Sequence, residues 1–61
     1  MKKVKWFFAD ENENVLAETV KGIFEEEKAI DELSLMVPRG KYIFGYFLSD
    51  GKIKEVSKQI V

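Results

Sequence analysis

The chain has 61 residues, of which 46% are hydrophobic and 34% charged, and its formal net charge is -1. A chain this short forms one domain, residues 1–61, and its near-neutral charge does not indicate a polyanionic partner. It contains no cysteine and no histidine, which excludes disulfide bonds and thiolate zinc sites and removes the usual acid–base catalyst. The composition therefore favours a small binding module, without catalytic residues, cofactor or metal, over an enzyme.

The sequence carries no signature of a membrane or export segment. No apolar run approaches the ~20 residues that span a bilayer, and residues 1–3 lead into a strand pattern rather than an apolar signal segment. The absence of cysteine fits a reducing compartment. We therefore expect a cytoplasmic protein that makes no membrane contact.

Charge is unevenly distributed along the chain. Residues 10–32 carry nine acidic and two basic residues, whereas the rest of the chain carries eight basic and two acidic residues. The chain therefore has an acidic middle between two basic arms, and its surfaces should differ in charge more than the total suggests.

The first predicted element is a hairpin. Residues 3–9 (KVKWFFA) begin with the alternation of a half-buried strand. Residues 10–14 (DENEN) are typical of a turn, because their side chains bond the local backbone. Residues 15–21 (VLAETVK) are then predicted to return as the second strand.

A helix is predicted next, from about Phe24. Three glutamates in its first turn complement the positive end of the helix dipole. Apolar residues, Phe24 among them, recur at helical spacing, so one face of the helix is apolar and the other acidic. Pro38 cannot continue a helix, which predicts that it ends near residues 34–36.

The second hairpin contains the clearest strand signal. Residues 41–48 (KYIFGYFL) place four aromatic residues within six positions, with turn residues on both sides. Asp50 and Gly51 predict a hairpin turn. Residues 52–61 (KIKEVSKQIV) are predicted as a fourth strand, although their apolar residues also fit helical spacing.

These elements predict an α+β fold with a single helix packed on a four-stranded sheet, in the order ββαββ. We expect the first and last strands to pair in parallel. By element order and length the chain resembles the β-grasp architecture of small immunoglobulin-binding bacterial domains. The alternative is a small β-barrel with one short helix. The pattern leaves open which face of the sheet the helix covers.

The surplus of aromatic residues predicts a protein partner. One helix cannot cover aromatic side chains on both faces of a sheet, and exposed apolar patches on small proteins usually mark interfaces. We therefore expect protein–protein interaction, in particular self-association to a homodimer, through an aromatic sheet face. The candidate partner-binding residues are Phe7, Tyr42, Phe44, Tyr46 and Phe47.

Basic residues near aromatic ones suggest single-stranded nucleic acid as an alternative partner. Residues 3–7 (KVKWF) resemble the opening strand of bacterial cold-shock domains, small five-stranded barrels that bind single-stranded nucleic acid. The resemblance covers five of 61 residues and implies that Trp6 stacks on a base, but the second, histidine-containing strand of those domains is absent. The candidate contacts are Lys3, Lys5, Trp6, Arg39, Lys41, Lys54 and Lys58. If the first and last strands are neighbours, Lys3, Lys5, Lys54 and Lys58 form one basic patch.

The acidic helix suggests a further alternative, a small inhibitor protein whose helix docks on a basic site of its target. The candidate docking residues are Glu25, Glu26, Glu27, Asp31 and Glu32. A charge run of this kind is more often a solvated helix face.

Overall fold

The computed structural model describes residues 2–61, which form four strands and one helix. The elements are β1 (Lys3–Ala9), β2 (Val15–Gly22), α1 (Glu26–Ser34), β3 (Lys41–Phe47) and β4 (Ile53–Ile60). The predicted α+β fold and the order ββαββ are confirmed. The C-terminal segment is a strand and not a helix.

The strands form an open sheet in the order β2-β1-β3-β4, and every neighbouring pair is antiparallel. The predicted parallel pairing of the first and last strands is wrong, so the chain shares the element order of β-grasp domains but not that pair. The sheet has two edges, β2 and β4, and is not a barrel. Both faces of β3 are apolar, which suits a central strand, whereas β4 intersperses lysine and glutamate with apolar residues, as edge strands commonly do.

The helix is short and lies mainly over β2, with fewer contacts to β1. It buries Ala29 and Leu33, and the Ser34 hydroxyl donates to the Ile30 carbonyl at 2.7 Å in its last turn. It ends before Pro38, as predicted. No helix within residues 2–61 is long and apolar enough to cross a membrane.

The core lies between α1 and the sheet face that carries Val4, Trp6 and Phe8. Its buried side chains are Val4, Trp6, Phe8, Ala29, Leu33, Tyr42 and Phe44. Across β1 and β3, Trp6 stacks on Phe44 with 4.9 Å between ring centroids, and Phe8 stacks on Tyr42 at 5.4 Å. Such pairs contribute about 0.5–1.5 kcal/mol beyond the area that they bury. The aromatic residues thus provide cross-strand contacts that a small chain without disulfides needs.

The two hairpins are joined along only part of their length. The register between β1 and β3 runs from Trp6–Tyr46 to Ala9–Ile43, so residues 3–5 of β1 lie beyond the paired region. The hairpins therefore diverge at this end of the sheet and leave a cleft between them.

Candidate interaction surfaces

The sheet face opposite α1 is called the open face, because the helix packs on the other side. Directly opposed residues share a face, so the register determines its composition. Its large apolar side chains with solvent exposure are Val15, Val20, Ile43, Phe47, Ile53 and Ile60. Its charged side chains are Lys3, Lys5, Lys41, Lys58, Glu18 and Glu55. Ile60 is 80%, Val20 56% and Val15 37% exposed, whereas Ile43, Phe47 and Ile53 are half-buried.

Three of the five predicted aromatic anchors are buried within the chain itself. Phe7 and Phe44 are fully buried and Tyr42 is nearly so. They present no surface to a partner, which corrects the prediction for these three. Tyr46 and Phe47 are half-buried, and of the two only Phe47 belongs to the open face.

Phe7 lies at the centre of the open face and is buried by neighbouring side chains of that face, not by the helix. The Phe47 ring packs against Phe7 with 5.2 Å between centroids, and Gly45 opposite Phe7 contributes no side chain. The Lys5 Nζ lies 6.0 Å from the centroid of Phe47 and 3.6 Å from Glu18 Oε1. The open face is therefore an amphipathic surface and not a bare aromatic patch.

Trp6, the residue predicted to stack on a base, is also buried. One of its neighbours is the stacked Phe44 ring, and its Nε1–H donates to the Gly22 carbonyl at 3.2 Å. Base stacking needs an exposed ring face. The position of Trp6 in the core corrects the predicted nucleic-acid contact.

The predicted basic patch is divided between surfaces. Because β3 separates β1 from β4, the lysines of β1 and β4 are not neighbours. Lys58 lies opposite Ile43 on the open face, whereas Lys54 lies opposite Tyr46 on the side of the helix. Of the predicted patch, only Lys3, Lys5 and Lys58 share a face. Arg39 and Lys41, the other predicted basic contacts, are both exposed.

The five predicted acidic docking residues fall into two groups. Glu25 and Glu32 hold the helix to β2, and Glu26, Glu27 and Asp31 are exposed. Only the second group is free of the contacts that attach α1 to the sheet.

Glu32 bridges the helix and β2. Its Oε1 accepts from the Thr19 hydroxyl at 2.7 Å, and its Oε2 lies 2.7 Å from Lys21 Nζ. The hydrogen bond from Lys21, followed by that from Thr19, lowers the pKa of Glu32. The same contact raises the pKa of Lys21. These partners stabilise the ionised carboxylate where the helix crosses the strand.

Glu25 shapes the turn that leads into the helix. Its Oε1 accepts from the Gly22 N–H at 2.8 Å, and its Oε2 lies 3.4 Å from Lys28 Nζ. The hydrogen bond from Gly22, followed by that from Lys28, lowers the pKa of Glu25. Glu25 therefore acts as a local structural group at the helix N-terminus.

Phe24 is the surface residue that the sequence pattern misplaced. It was expected on the apolar stripe of the helix, yet 86% of it is exposed. Its neighbour Ile23 packs against the core in its place. The sequence did contain a sign that Phe24 could be exposed. Ile23 and Phe24 are adjacent in the segment before the helix, where only one of two adjacent side chains can face the core. Leu35, just beyond the helix, is similarly 89% exposed.

The cleft between the diverging hairpins has a volume of about 460 Å³. One wall is formed by the start of β1 and the other by the end of β3 and the turn that follows. One wall carries Lys2, Lys3 and Lys5, and the other carries Tyr46, Phe47, Leu48 and Asp50. The cleft thus combines a basic wall with a mainly apolar wall that includes one carboxylate, and Lys3, Lys5 and Phe47 connect it to one end of the open face.

Among residues 2–61, no group of three acidic side chains is placed to hold a metal ion. The chain matches no family model, and no curated protein or solved structure is significantly similar to it.

Proposed function

We propose that the chain is a non-enzymatic protein-interaction module, located in the cytoplasm, that self-associates through the open face of its sheet. The observation that carries the proposal is the set of apolar side chains on a sheet face that α1 does not cover. Val20 and Ile60 are mostly exposed there, and Phe47 and Ile53 lie opposite each other and are half-buried. Exposed apolar surface of this kind usually marks an interface.

The size of the open face suits a dimer interface. The two longer dimensions of the molecule are 31 and 22 Å, so a flat face has an area of at most roughly 700 Å². This is close to the ~800 Å² that each partner contributes to a standard interface. The whole face would have to be used, because smaller contacts seldom hold a stable complex.

The charges of the open face favour a second copy as the partner. A two-fold interface places one surface against itself, so it needs both signs of charge on that surface. Lys5 and Lys58 lie on the open face together with Glu18 and Glu55. A purely basic face would repel its own copy, whereas this one can form reciprocal pairs at its rim.

The nucleic-acid alternative has less support, because Trp6 is buried. The acidic-docking alternative keeps one supporting observation, since Glu26, Glu27 and Asp31 remain exposed.

The test is the dependence of mass on concentration, measured by light scattering or sedimentation from about 1 to 100 µM, a range that brackets micromolar affinity. The variant carries Val20→Ser and Ile60→Ser, two exposed positions on the open face. Its matched control carries Leu35→Ser and Met36→Ser, which are 89% and 51% exposed beyond the helix.

We expect wild type and control to dimerise and the open-face variant to remain a folded monomer. A wild type that stays monomeric over the whole range would refute self-association. Equal dimerisation of both variants would show that copies meet through another surface.

A further inference from the structure

We propose that self-association inserts Phe24 of each copy into the cleft between β1 and β3 of the other copy. The inference rests on the self-association proposed above and names the contact that anchors it.

The turn that carries Phe24 is held by hydrogen bonds on both sides of this residue. The Glu25 N–H donates to the Gly22 carbonyl at 2.9 Å, and the Glu25 carboxylate accepts from the Gly22 N–H at 2.8 Å. The Ile23 N–H donates to the Lys2 carbonyl at 2.9 Å. Phe24 is therefore presented to solvent by a fixed backbone, and docking of its side chain would require little further ordering of the chain.

The cleft offers Phe24 the surroundings that an aromatic anchor requires. Tyr46, Phe47 and Leu48 provide apolar surface on one wall. Aromatic pairs prefer offset or edge-to-face contacts, which a half-buried Phe47 ring and the Tyr46 ring make available. Exposed aromatic residues that enter such pockets are the typical centres of binding energy at protein interfaces.

The charges beside the anchor and in the cleft are opposite. Glu26 and Glu27 follow the Phe24 turn directly and are exposed. The cleft is lined by three lysines, Lys2, Lys3 and Lys5, against one carboxylate, Asp50, so its charge is positive on balance. Insertion of Phe24 therefore brings acidic side chains of one copy towards basic side chains of the other, which favours this partner over a surface of like charge.

Phe24 and the cleft lie at the same end of the sheet. The two symmetric contacts of a dimer, Phe24 of each copy in the cleft of the other, can therefore form at the same time. The hydrogen bond from Ile23 to Lys2 places the Phe24 turn next to the start of β1, and Lys2 also lines the cleft. A two-fold axis that runs along the length of the open face relates each anchor to the cleft of the other copy and still pairs the whole of both faces. The resulting contact is closed and stops at the dimer, whereas a one-way contact would continue as a filament.

The first experiment measures the dimer dissociation constant of wild type, Phe24→Ser and the matched control Leu35→Ser. Both replaced side chains are about equally exposed, 86% and 89%, so neither substitution removes core packing, and thermal unfolding verifies that each variant folds. We expect Phe24→Ser to weaken the dimer by roughly 900-fold, because truncation of one hot-spot aromatic costs about 30-fold and each dimer loses two such anchors. We expect no change for Leu35→Ser.

A charge exchange provides the second readout. Glu27→Lys and Lys3→Glu should each weaken the dimer, and the double variant should recover affinity, because the reversed charges again oppose each other between copies. A dimer that Phe24→Ser and both single charge reversals leave unchanged would overturn this inference while the open-face proposal stands. A wild type that remains monomeric would refute both.

Discussion

Phe7 of β1 lies directly opposite Gly45 of β3, and both residues are buried on a face that the helix does not reach. A Cβ atom at Gly45 would lie 2.1 Å from the Lys54 carbonyl oxygen. The register between β3 and β4 shifts at this point and leaves Val56 as an extra residue in β4. The glycine thus accommodates a close approach of the β4 backbone.

Replacement of Gly45 by alanine is expected to destabilise the fold by about 2–3 kcal/mol, the upper part of the range for overpacking a core. The clash is with backbone, which cannot rotate away as a side chain can. Urea or thermal unfolding measures the change. In the control, Gly40→Ala, the new Cβ would first meet the Tyr42 hydroxyl at 3.3 Å, a group that can shift. Equal stability of the two variants would contradict the close approach at Gly45.

The Glu32 bridge predicts a loss of stability in acid. Its pKa is lowered in the folded state from an ordinary value of 4.5 by the hydrogen bonds from Lys21 and Thr19. Its contribution is therefore present above about pH 4.5 and is lost as the pH falls through the lowered value. Melting temperatures from pH 6 to pH 2 should fall less steeply for Glu32→Gln than for wild type. Asp31→Asn, an exposed carboxylate on the same helix, serves as the control and should retain the slope of wild type.

The burial of Trp6 predicts its fluorescence. The native protein should resist quenching by acrylamide, and unfolding in urea should remove that protection, because the indole packs against Phe44 and donates to the Gly22 carbonyl. A single-stranded oligonucleotide should leave the emission unchanged. Quenching by the oligonucleotide that weakens steeply with salt would restore the nucleic-acid alternative.

The turn between β1 and β2 contains a strained residue. Asp10 accepts hydrogen bonds from the N–H groups of Asn12 and Asn14, and Glu13 has a φ of 63°. A left-handed conformation costs a residue with a side chain about 1–2 kcal/mol, and glycine avoids that cost. Glu13→Gly is therefore expected to raise stability by roughly 0.5–1 kcal/mol, after the greater freedom of glycine in the unfolded chain is subtracted.

Thermal unfolding tests this expectation, with Glu11→Gly as the control in the same turn. Among residues 2–61, Glu13 is the one residue other than glycine with a positive φ. Glu11→Gly should therefore lower stability, because glycine raises the entropy of the unfolded chain and position 11 has no backbone strain to relieve. A destabilised Glu13→Gly variant would contradict the strain at this position.

The candidate site could be predicted only in part. Composition indicated that aromatic side chains dominate both central strands, and alternation correctly grouped Phe7 apart from Trp6 and Phe8. It could not indicate that Phe7 would be buried by Phe47, because that contact joins residues 40 positions apart. The exposure of Phe24 was not predicted, because helical spacing assigned it to the apolar face of the helix although the helix begins only at Glu26.

The sequence by itself determined the elements, their order and most of their limits. Residues 3–9 form a strand with the predicted bounds, and Pro38 keeps the helix short. These features depend on alternation, helical spacing and turn chemistry, which act between residues a few positions apart. Only the tertiary structure decided that β3 lies beside β1, that the helix covers the face of Trp6, and that Phe24 remains in solvent. Each of these depends on long-range packing, where alternation shows which residues share a face but not what covers it.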